Sequence, residues 1–192
     1  MHTLLCATTN NQKFGVGHAW FKKYGIDLQQ IVIEADEIQG EDPEVIIRDK
    51  VRRAFEAVGK PVVVTDDTWN IPGLKGFPGP YMKAINYWFT PEDLVRLTRN
   101  LADRRIILHQ YIAYQDEYET VIFSKDITGT LSREPRGKTG PTNAKVTIFD
   151  ADNGNTLAEI YDAGLEHEPE RLKRRGDAWG DMAQWYAQKV AA

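Results

Sequence analysis

A polar stretch directly after the first apolar run could hold phosphate. Thr8, Thr9, Asn10 and Lys13 stand where a short buried strand would end and a helix would begin. Backbone N–H groups at a helix start, together with hydroxyls and an ammonium group, can cradle a phosphate. The stretch lacks the glycines and the Gly-Lys-Ser/Thr ending of a Walker loop. Taken alone, it favours a simpler interpretation, a helix capped by asparagine with a solvated lysine.

Two adjacent aspartates form the most suggestive strand ending in the chain. Asp66 and Asp67 follow residues 61–65, a run with three valines that predicts a buried strand. Open α/β sheets hold their sites at the carboxyl ends of strands, which favours a functional pair. The alternative is that these aspartates cap a turn or helix, with Thr68 contributing, and the sequence leaves both interpretations open.

Three further groups are weaker signals. Asp36 and Glu37 lie in an acidic loop, where carboxylates could bind Mg²⁺ together with substrate phosphates, although such acids are usually only solvated. The Gly/Pro-rich loop at residues 71–80 could let backbone approach a ligand, or could be a plain surface loop. The basic run at residues 171–175 could meet polyphosphate, although most charge runs are solvated faces.

The predicted elements alternate between helix and strand. Apolar spacing predicts helices at residues 10–24, 43–58, 90–101 and 177–190. It predicts strands at residues 3–8, 31–35, 61–65 and 144–149, and a long hairpin from residues 106–114 and 118–128. This order indicates an α/β or α+β fold with a mixed sheet.

Composition excludes several classes of protein. The chain has 192 residues and a net charge of −4, which disfavours an electrostatic binder of nucleic acid. One cysteine, Cys6, rules out an internal disulfide framework, and it is expected in the core rather than as a nucleophile. No run long enough for a membrane helix and no signal peptide is visible, so we expect a compact, soluble, intracellular protein.

In their order along the chain, these groups resemble the inosine triphosphate pyrophosphatase family, which hydrolyses non-standard purine nucleoside triphosphates. The similarity covers nearly the whole chain. The matching segments are Thr9-Asn10 with Lys13, Glu37-Ile38-Gln39-Gly40, Lys50, Asp66-Asp67-Thr68, Pro78-Gly79-Pro80-Tyr81, Pro135-Arg136-Gly137, Thr156-Leu157-Ala158-Glu159 and Arg174-Arg175-Gly176-Asp177-Ala178.

The resemblance implies a fold and a set of partners. The fold would be a mixed α/β one, an elongated mixed β-sheet flanked by helices, in which residues 1–192 form one domain of two lobes around a central nucleotide cleft. It implies Mg²⁺ as cofactor, a nucleoside triphosphate as substrate, a homodimer and a cytoplasmic location. Neither a membrane nor a nucleic acid polymer is expected as a partner. Exposed aromatics such as Tyr87, Trp88 and Phe89 could lie at the dimer interface, or could pack inside their own lobe.

The resemblance also implies roles for individual residues. One of Asp66 and Asp67 would orient or deprotonate the attacking water, Glu37 with these aspartates would bind the metal, and Lys50 would contact phosphate or the acidic cluster. A gapless count back from the Pro-Gly-Pro loop pairs the family's two acids with Thr65 and Asp66, and moving a gap by one residue selects Asp66 and Asp67 instead, so both aspartates are kept. The substrate would meet a larger set, namely Thr8, Thr9, Asn10, Lys13, Gly79, Tyr81, Arg136, Arg174 and Arg175.

Two departures from the family pattern fall on base recognition. The family carries aromatics after Pro-Arg-Gly, whereas residues 138–144 contain none. The family also ends with a lysine and a His-Arg pair, whereas Arg174-Arg175 stands here and no lysine has the expected upstream spacing. The sequence therefore predicts a nucleoside triphosphate pyrophosphatase with an altered base preference. The alternative is a nucleotide-binding or sensing protein that has lost turnover.

Overall fold

The computed structural model describes residues 2–33, 38, 40 and 42–191, which form a mixed α/β fold. Its strands are β1 (Thr3–Ala7), β2 (Asp27–Ile31), β3 (Val62–Asn70), β4 (Pro78–Gly79), β5 (Arg105–Gln115), β6 (Thr120–Leu131) and β7 (Thr147–Phe149). Its helices are α1 (Asn11–Lys23), α2 (Pro43–Val58), α3 (Met82–Trp88), α4 (Pro91–Thr98), α5 (Leu157–Asp162), α6 (Pro169–Arg175) and α7 (Ala178–Ala191). Over these described residues, no helix has the length and apolar character that a membrane span requires.

The strands form one mixed sheet in the order β2-β1-β3-β5-β6-β7, with β4 beside β3. β1 pairs in parallel with both β2 and β3, whereas β7 pairs antiparallel with β6. β3 changes partner along its length: residues 62–64 pair with β1, and Trp69 and Asn70 pair antiparallel with β4. The predicted fold class, a mixed α/β sheet flanked by helices, is confirmed.

The chain divides into two compact units. The first unit comprises Met1–Asp66, Gln110–Lys125 and Gly176–Ala192, and the second comprises Asp67–His109 and Asp126–Arg175. Three strands, β3, β5 and β6, pass from one unit into the other along the chain. Within β3 the boundary falls between Asp66 and Asp67.

Helix α2 has the bounds that its sequence signals predict. The Asp42 side chain accepts hydrogen bonds from the N–H groups of the first turn, Pro43 occupies that turn, and Gly59 ends the helix in the left-handed conformation. The apolar face of α2, with Ile47 and Val51, packs against valines of β3 in the first unit's core. This packing fixes the helix that carries Lys50.

Helix α1 forms although it contains two glycines that weaken a helix on propensity alone. Asn10 caps it, because its Oδ1 accepts from the N–H groups of Gln12 (3.0 Å) and Lys13 (3.1 Å). A Cβ atom at Gly17 would lie 2.9 Å from the ring of Trp179 in α7, so the glycine lets the tryptophan ring lie directly against α1. Close packing against α7 offsets the low propensity of this segment.

The second unit has its own core. Trp69 of β3 stacks on Phe149 of β7 with ring centroids 6.0 Å apart, and Ile106 and Leu131 are buried in the same cluster. Helix α4 starts with the predicted capping box, in which the hydroxyl of Thr90 and the carboxylate of Asp93 bond to each other's backbone N–H.

The predicted strand with Asp66 and Asp67 at its end is wrong in its boundary. β3 continues to Asn70, so both aspartates lie inside a strand rather than after one. Pairing with β4 supplies hydrogen bonds beyond the valines, and β4 lies in the loop that was expected to be irregular. The aspartates still follow the end of the parallel pairing with β1, which stops at Val64.

Other boundaries also differ from the predictions. The second strand is Asp27–Ile31 rather than residues 31–35. Leu28 is its buried residue, and the glutamines of this edge strand hide the alternating apolar pattern from which a strand is predicted. Ala35 lies outside the described residues. The strand predicted at residues 144–149 is shortened to β7 by a 3-10 turn at Thr142–Lys145. Helices α3, α5 and α6 were not predicted, since six or seven residues give little periodic signal.

Candidate active site

Strand β3 directs its two aspartates to opposite faces of the sheet. Successive side chains of a strand alternate between faces, so Asp66 shares its face with Val62 and Val64, which pack against α2. Asp67 lies on the face of Val63 and Thr65. The two carboxylates therefore serve different surroundings, and one cannot replace the other by a small side-chain movement.

Asp66 is paired with Lys50. The Nζ of Lys50 on α2 lies 3.7 Å from Oδ1 of Asp66, and each side chain is 23% exposed. The pair is therefore open enough for a ligand to reach, and too loose to act as a rigid clamp. Lys50 and Asp66, two of the three residues predicted to be catalytic, are therefore neighbours in the structure.

Cys6 belongs to the core near this pair. It is fully buried in β1, and burial raises the pKa of its thiol to about 12 despite the opposing effect of the Lys50 charge. A thiol with such a pKa stays protonated at neutral pH and is a poor nucleophile. The expectation that Cys6 is a core residue is confirmed.

The start of α1 forms a compact polar turn in the first unit. The hydroxyl of Thr8 accepts from the N–H of Asn10 (3.1 Å), and the Asn10 side chain occupies the N–H groups of Gln12 and Lys13. Gln30 of β2 donates to the Thr8 carbonyl at 3.0 Å and so fixes the turn against the sheet. Of the residues predicted to contact phosphate, Thr9 and Asn10 are exposed at this turn, and Thr8 and Lys13 are half-buried.

In the second unit, Asp67 shares its surroundings with Tyr161 of α5. The pKa of the Tyr161 phenol is raised, chiefly by burial; the positive charges of Arg175 and Arg171 act against this, and the negative charges of Asp67 and Glu166 add to it. These side chains are therefore within electrostatic range of one ring. Sequence reasoning gave Tyr161 no role, because α5 has too few residues for a periodic pattern.

The three arginines of the basic run have three different environments. Arg171 is buried and binds Asp152 with two nitrogens, Nε to Oδ1 at 2.6 Å and Nη2 to Oδ2 at 2.9 Å. Arg174 lines a small cavity of about 80 Å³ beside Asp152 and Glu168. Arg175 is the neighbour of Tyr161. Of the two arginines that the resemblance assigned to substrate, Arg175 is the one that acts on the ring near Asp67.

Two of the other predicted substrate contacts lie in the loop after β3. Gly79 has a left-handed φ of 61° and pairs with Trp69 through β4, and Tyr81 is 50% exposed. Arg136 lies elsewhere in the second unit, with Nη2 3.4 Å from the Glu159 carboxylate in the capping box of α5. Its backbone carbonyl accepts from the Thr156 hydroxyl at 3.0 Å, so Arg136 holds the start of α5 in position.

The predicted metal ligands are described only in part. Glu37 lies outside the described residues, and Asp66 and Asp67 occupy opposite faces of β3. Across the part of the chain that the structure describes, no group of three or more His, Cys, Asp or Glu side chains could hold a metal ion.

Comparison with known proteins identifies the relatives of this chain. The model of the Ham1 family matches residues 4–185. A dITP/XTP pyrophosphatase of Methanopyrus kandleri is 29% identical over 189 residues, which is 98% of each chain. An inosine triphosphate pyrophosphatase of Tuber melanosporum is 40% identical over 102 residues, covering 53% of this chain and 55% of the relative.

Solved structures share the fold. A HAM1 protein from Coxiella burnetii superposes with a TM-score of 0.75 at 20% identity, over 98% of this chain and 100% of that one. The Ham1 protein of Staphylococcus aureus gives a TM-score of 0.71 at 18% identity, covering 97% and 99% of the two chains. The resemblance stated from the sequence is thereby confirmed.

Proposed function

The chain belongs to the Ham1 family, and on that premise we propose that it is a nucleoside triphosphate pyrophosphatase. It hydrolyses non-standard purine nucleoside triphosphates to the monophosphate and pyrophosphate, the substrate type named for its dITP/XTP and inosine triphosphate pyrophosphatase relatives. The observation that carries the proposal is the ion pair of Lys50 with Asp66 on β3, with Asp67 as the next residue of the same strand.

The reaction divides between the two aspartates. Water attacks the α-phosphorus, the bond from that phosphorus to the bridging oxygen breaks, and pyrophosphate leaves. Asp67 orients the water and takes its proton as general base. Asp66 holds Lys50, whose ammonium group stabilises the negative charge that develops on the phosphate oxygens. Thr8, Thr9, Asn10 and Lys13 bind the rest of the triphosphate.

The cofactor in this proposal is Mg²⁺. Mg²⁺ binds through one or two carboxylates together with substrate phosphates, and the carboxylate of either Asp66 or Asp67 offers that donor chemistry, with Glu37 as a further ligand outside the described residues. When bound, the ion supplies a Lewis acid at the phosphate oxygens. The protein's own part is to hold the phosphates and the water in place.

The test is pyrophosphate release from ITP, XTP, dITP, ATP and GTP in the presence of Mg²⁺. We expect turnover of the inosine and xanthosine nucleotides, and a loss of about 1,000-fold in kcat for Asp67→Asn, since a general base and its positioning are both lost. Asp126→Asn is the matched control, because its carboxylate is 63% exposed. Asp66→Asn should lose less than Asp67→Asn, because it removes the partner of Lys50 and a possible carboxylate donor for Mg²⁺ but leaves the general base in place.

One outcome separates this function from the nucleotide-binding alternative. Calorimetry that shows tight binding of ITP, together with no pyrophosphate release from any triphosphate by the folded protein, would overturn the enzymatic proposal. A folded protein that shows neither binding nor turnover of a triphosphate would overturn both the enzymatic proposal and the nucleotide-binding alternative.

We also infer a homodimer in the cytoplasm. On α3 of the second unit, Tyr87 is 84% exposed and Trp88 72% exposed, while Phe89 packs against the unit's own core. Two large exposed aromatics side by side favour a protein–protein contact. Sedimentation equilibrium should give a dimer for the native protein and a monomer for the double variant Tyr87→Ser/Trp88→Ser. A monomeric native protein would contradict this inference.

A further inference from the structure

The α1 turn, residues 8–11 at the start of α1, begins where the pairing of two parallel strands ends. The last paired residues of β1 and β2 are Ala7 and Ile31, so Thr8 is the first residue beyond the ladder. The Thr8 N–H still donates to the Ile31 carbonyl at 3.1 Å. Because β2 ends at Ile31, the donor to the Thr8 carbonyl is a side chain rather than strand backbone.

Gln30 of β2 supplies this donor and a second one. Its Nε2 donates to the Thr8 carbonyl at 3.0 Å and to Oδ1 of Asn11 at 3.1 Å. A backbone carbonyl can only accept, so the group of Gln30 that faces it must be the NH₂ group. The atom of Asn11 that faces the same NH₂ group must then be the amide oxygen. The orientations of both side-chain amides therefore follow from the Thr8 carbonyl.

The two hydrogen bonds of Gln30 fix the direction of two other donors in the α1 turn. In a planar trans peptide the carbonyl and the following N–H point in opposite directions, so a Thr8 carbonyl held toward Gln30 turns the Thr9 N–H away from it. An Asn11 amide whose oxygen faces Gln30 likewise directs its own NH₂ group to another side. Thr9 and Asn11 are exposed, whereas Gln30 is half-buried. A ligand can therefore reach the donors that Gln30 orients.

We propose that Gln30 is a positioning residue for the triphosphate, which holds the Thr9 N–H and the Asn11 NH₂ group where they donate to the two terminal phosphates. Gln30 acts through the α1 turn and does not touch the phosphates itself. Donors that are already oriented bind a charged phosphate oxygen more tightly, because less of the chain has to be ordered on binding. This inference rests on the proposed function and adds Gln30 and Asn11 to the residues that serve it.

The neighbouring glutamine of the same strand provides the matched control. Successive side chains of a strand point to opposite faces, and Gln29 is exposed, with Nε2 2.6 Å from Oδ2 of Asp27 in β2 itself. Gln30→Leu and Gln29→Leu each remove one amide, and only Gln30→Leu removes hydrogen bonds to the α1 turn. If Gln30→Leu does not fold, Gln30→Glu takes its place with Gln29→Glu as control, because an ionised carboxylate keeps the shape of the side chain but cannot donate.

The first experiment compares two ligands that differ in their phosphates. Calorimetry measures the affinity for IMP and for the α,β-methylene analogue of ITP, in which the bridge next to the α-phosphorus is not cleaved. We expect Gln30→Leu to weaken binding of the analogue about tenfold and of IMP less than about twofold, because IMP lacks the two terminal phosphates. Gln29→Leu should keep both affinities within about twofold. A folded Gln30→Leu protein that binds the analogue normally, or that loses affinity for both ligands equally, would overturn the inference.

The second experiment tests whether Gln30 acts through Asn11. Asn11→Ala removes the NH₂ group that the proposal uses and leaves the hydrogen bond from Gln30 to the Thr8 carbonyl. We expect about three- to fivefold weaker binding of the analogue. The double variant Gln30→Leu/Asn11→Ala should lose less than the product of the two single losses, because removal of Gln30 already releases the Asn11 amide. Unchanged affinity in Asn11→Ala, or losses that multiply fully, would overturn the part of Asn11.

Kinetics and binding together keep the inference separate from the proposed function. In an active protein, Gln30→Leu should raise KM for ITP about tenfold with kcat within about twofold, since contacts to the terminal phosphates are lost equally from the ground state and the transition state. A fall in kcat at unchanged KM would overturn the positioning role. A native protein that releases no pyrophosphate fails the proposed function, and the calorimetric comparison still decides the role of Gln30. Equal affinity of the native protein for IMP and the analogue would overturn that role.

Discussion

Each unit holds an ion pair of one basic and one acidic side chain, and the two pairs differ in almost every physical respect. In the second unit, Arg171 and Asp152 form two hydrogen bonds and their side chains are 3% and 0% exposed. In the first unit, Lys50 and Asp66 are 3.7 Å apart and each is 23% exposed. One pair is closed to water and geometrically fixed, and the other is open and loose.

The difference shows which charged residues maintain the fold and which are available to a substrate. A buried, bidentate pair has its donors and acceptors occupied, so it can hold neighbouring backbone but cannot exchange partners without a large cost. A half-open pair gains little stability and can admit a phosphate between its members. On this comparison, we assign Arg171 a structural role and propose a functional one for Lys50.

The largest effect that the comparison predicts is on stability. Arg171→Ala should lower the free energy of unfolding by about 3–5 kcal/mol, because it leaves the Asp152 carboxylate buried without its partner. Denaturant unfolding of the native protein and of Arg174→Ala provides the reference, and Arg174→Ala should stay within about 0.5 kcal/mol. Equal stability of the two variants would break the distinction between the closed and the open pair.

The next effect is on catalysis. Lys50→Met should reduce kcat about 100-fold, roughly 2.7 kcal/mol in activation free energy, because one donor to the developing phosphate charge is lost. Its stability should change by less than about 1 kcal/mol, since the pair with Asp66 is partly exposed. Lys60→Met, at an exposed position after α2, serves as the control in both assays. A Lys50→Met protein that is unstable but fully active would contradict the assignment.

The smallest effect comes from a third ion pair, that of Asp116 with Lys189, which lies in the first unit and is partly buried. Asp116 is 8% exposed; burial favours its neutral form, but hydrogen bonds from the Tyr118 and Glu119 N–H groups, Tyr114 and Lys189 together lower the pKa to about 2. Because the folded pKa lies below the unfolded value of about 3.9, the stabilisation is complete above about pH 5 and is lost as the pH falls toward 2.

The size of this third effect is about 2 kcal/mol. Unfolding measured between pH 6 and pH 2 should show a shallower loss of stability in Asp116→Asn than in the native protein. The exposed control Glu117→Gln should follow the native curve. Parallel curves for the native protein and Asp116→Asn would show that this carboxylate does not couple folding to pH, and would place the Asp116 pair with the open one.

Local signals predicted the parts of the fold that short segments determine. The bounds of α2 follow from Asp42, Pro43 and Gly59, whose capping preferences do not depend on distant residues. The start of α4 follows in the same way from Thr90 and Asp93. The length of β3 could not be predicted, since its last residues are strand only because β4 pairs with them.

The candidate site shows the same division. The reaction was predicted from the family resemblance, which includes Asp66, Asp67 and Lys50 among its matching segments, and the structure pairs two of these residues. The difference between Arg171 and Arg175 was not predictable, because it depends on where Asp152 and Tyr161 lie in space. Neighbours that are distant in sequence leave no mark on the spacing of a single chain.

The contact between Gly17 and Trp179 has a consequence for how the chain is made. A ribosome adds roughly 5–20 residues per second, so about 10 to 30 seconds pass between the synthesis of α1 and that of α7, the helix that covers it. During this interval the apolar side of α1, including Phe21, has no native cover from α7. We therefore expect nascent chains to need protection at α1, and the first unit to be completed only after translation of α7.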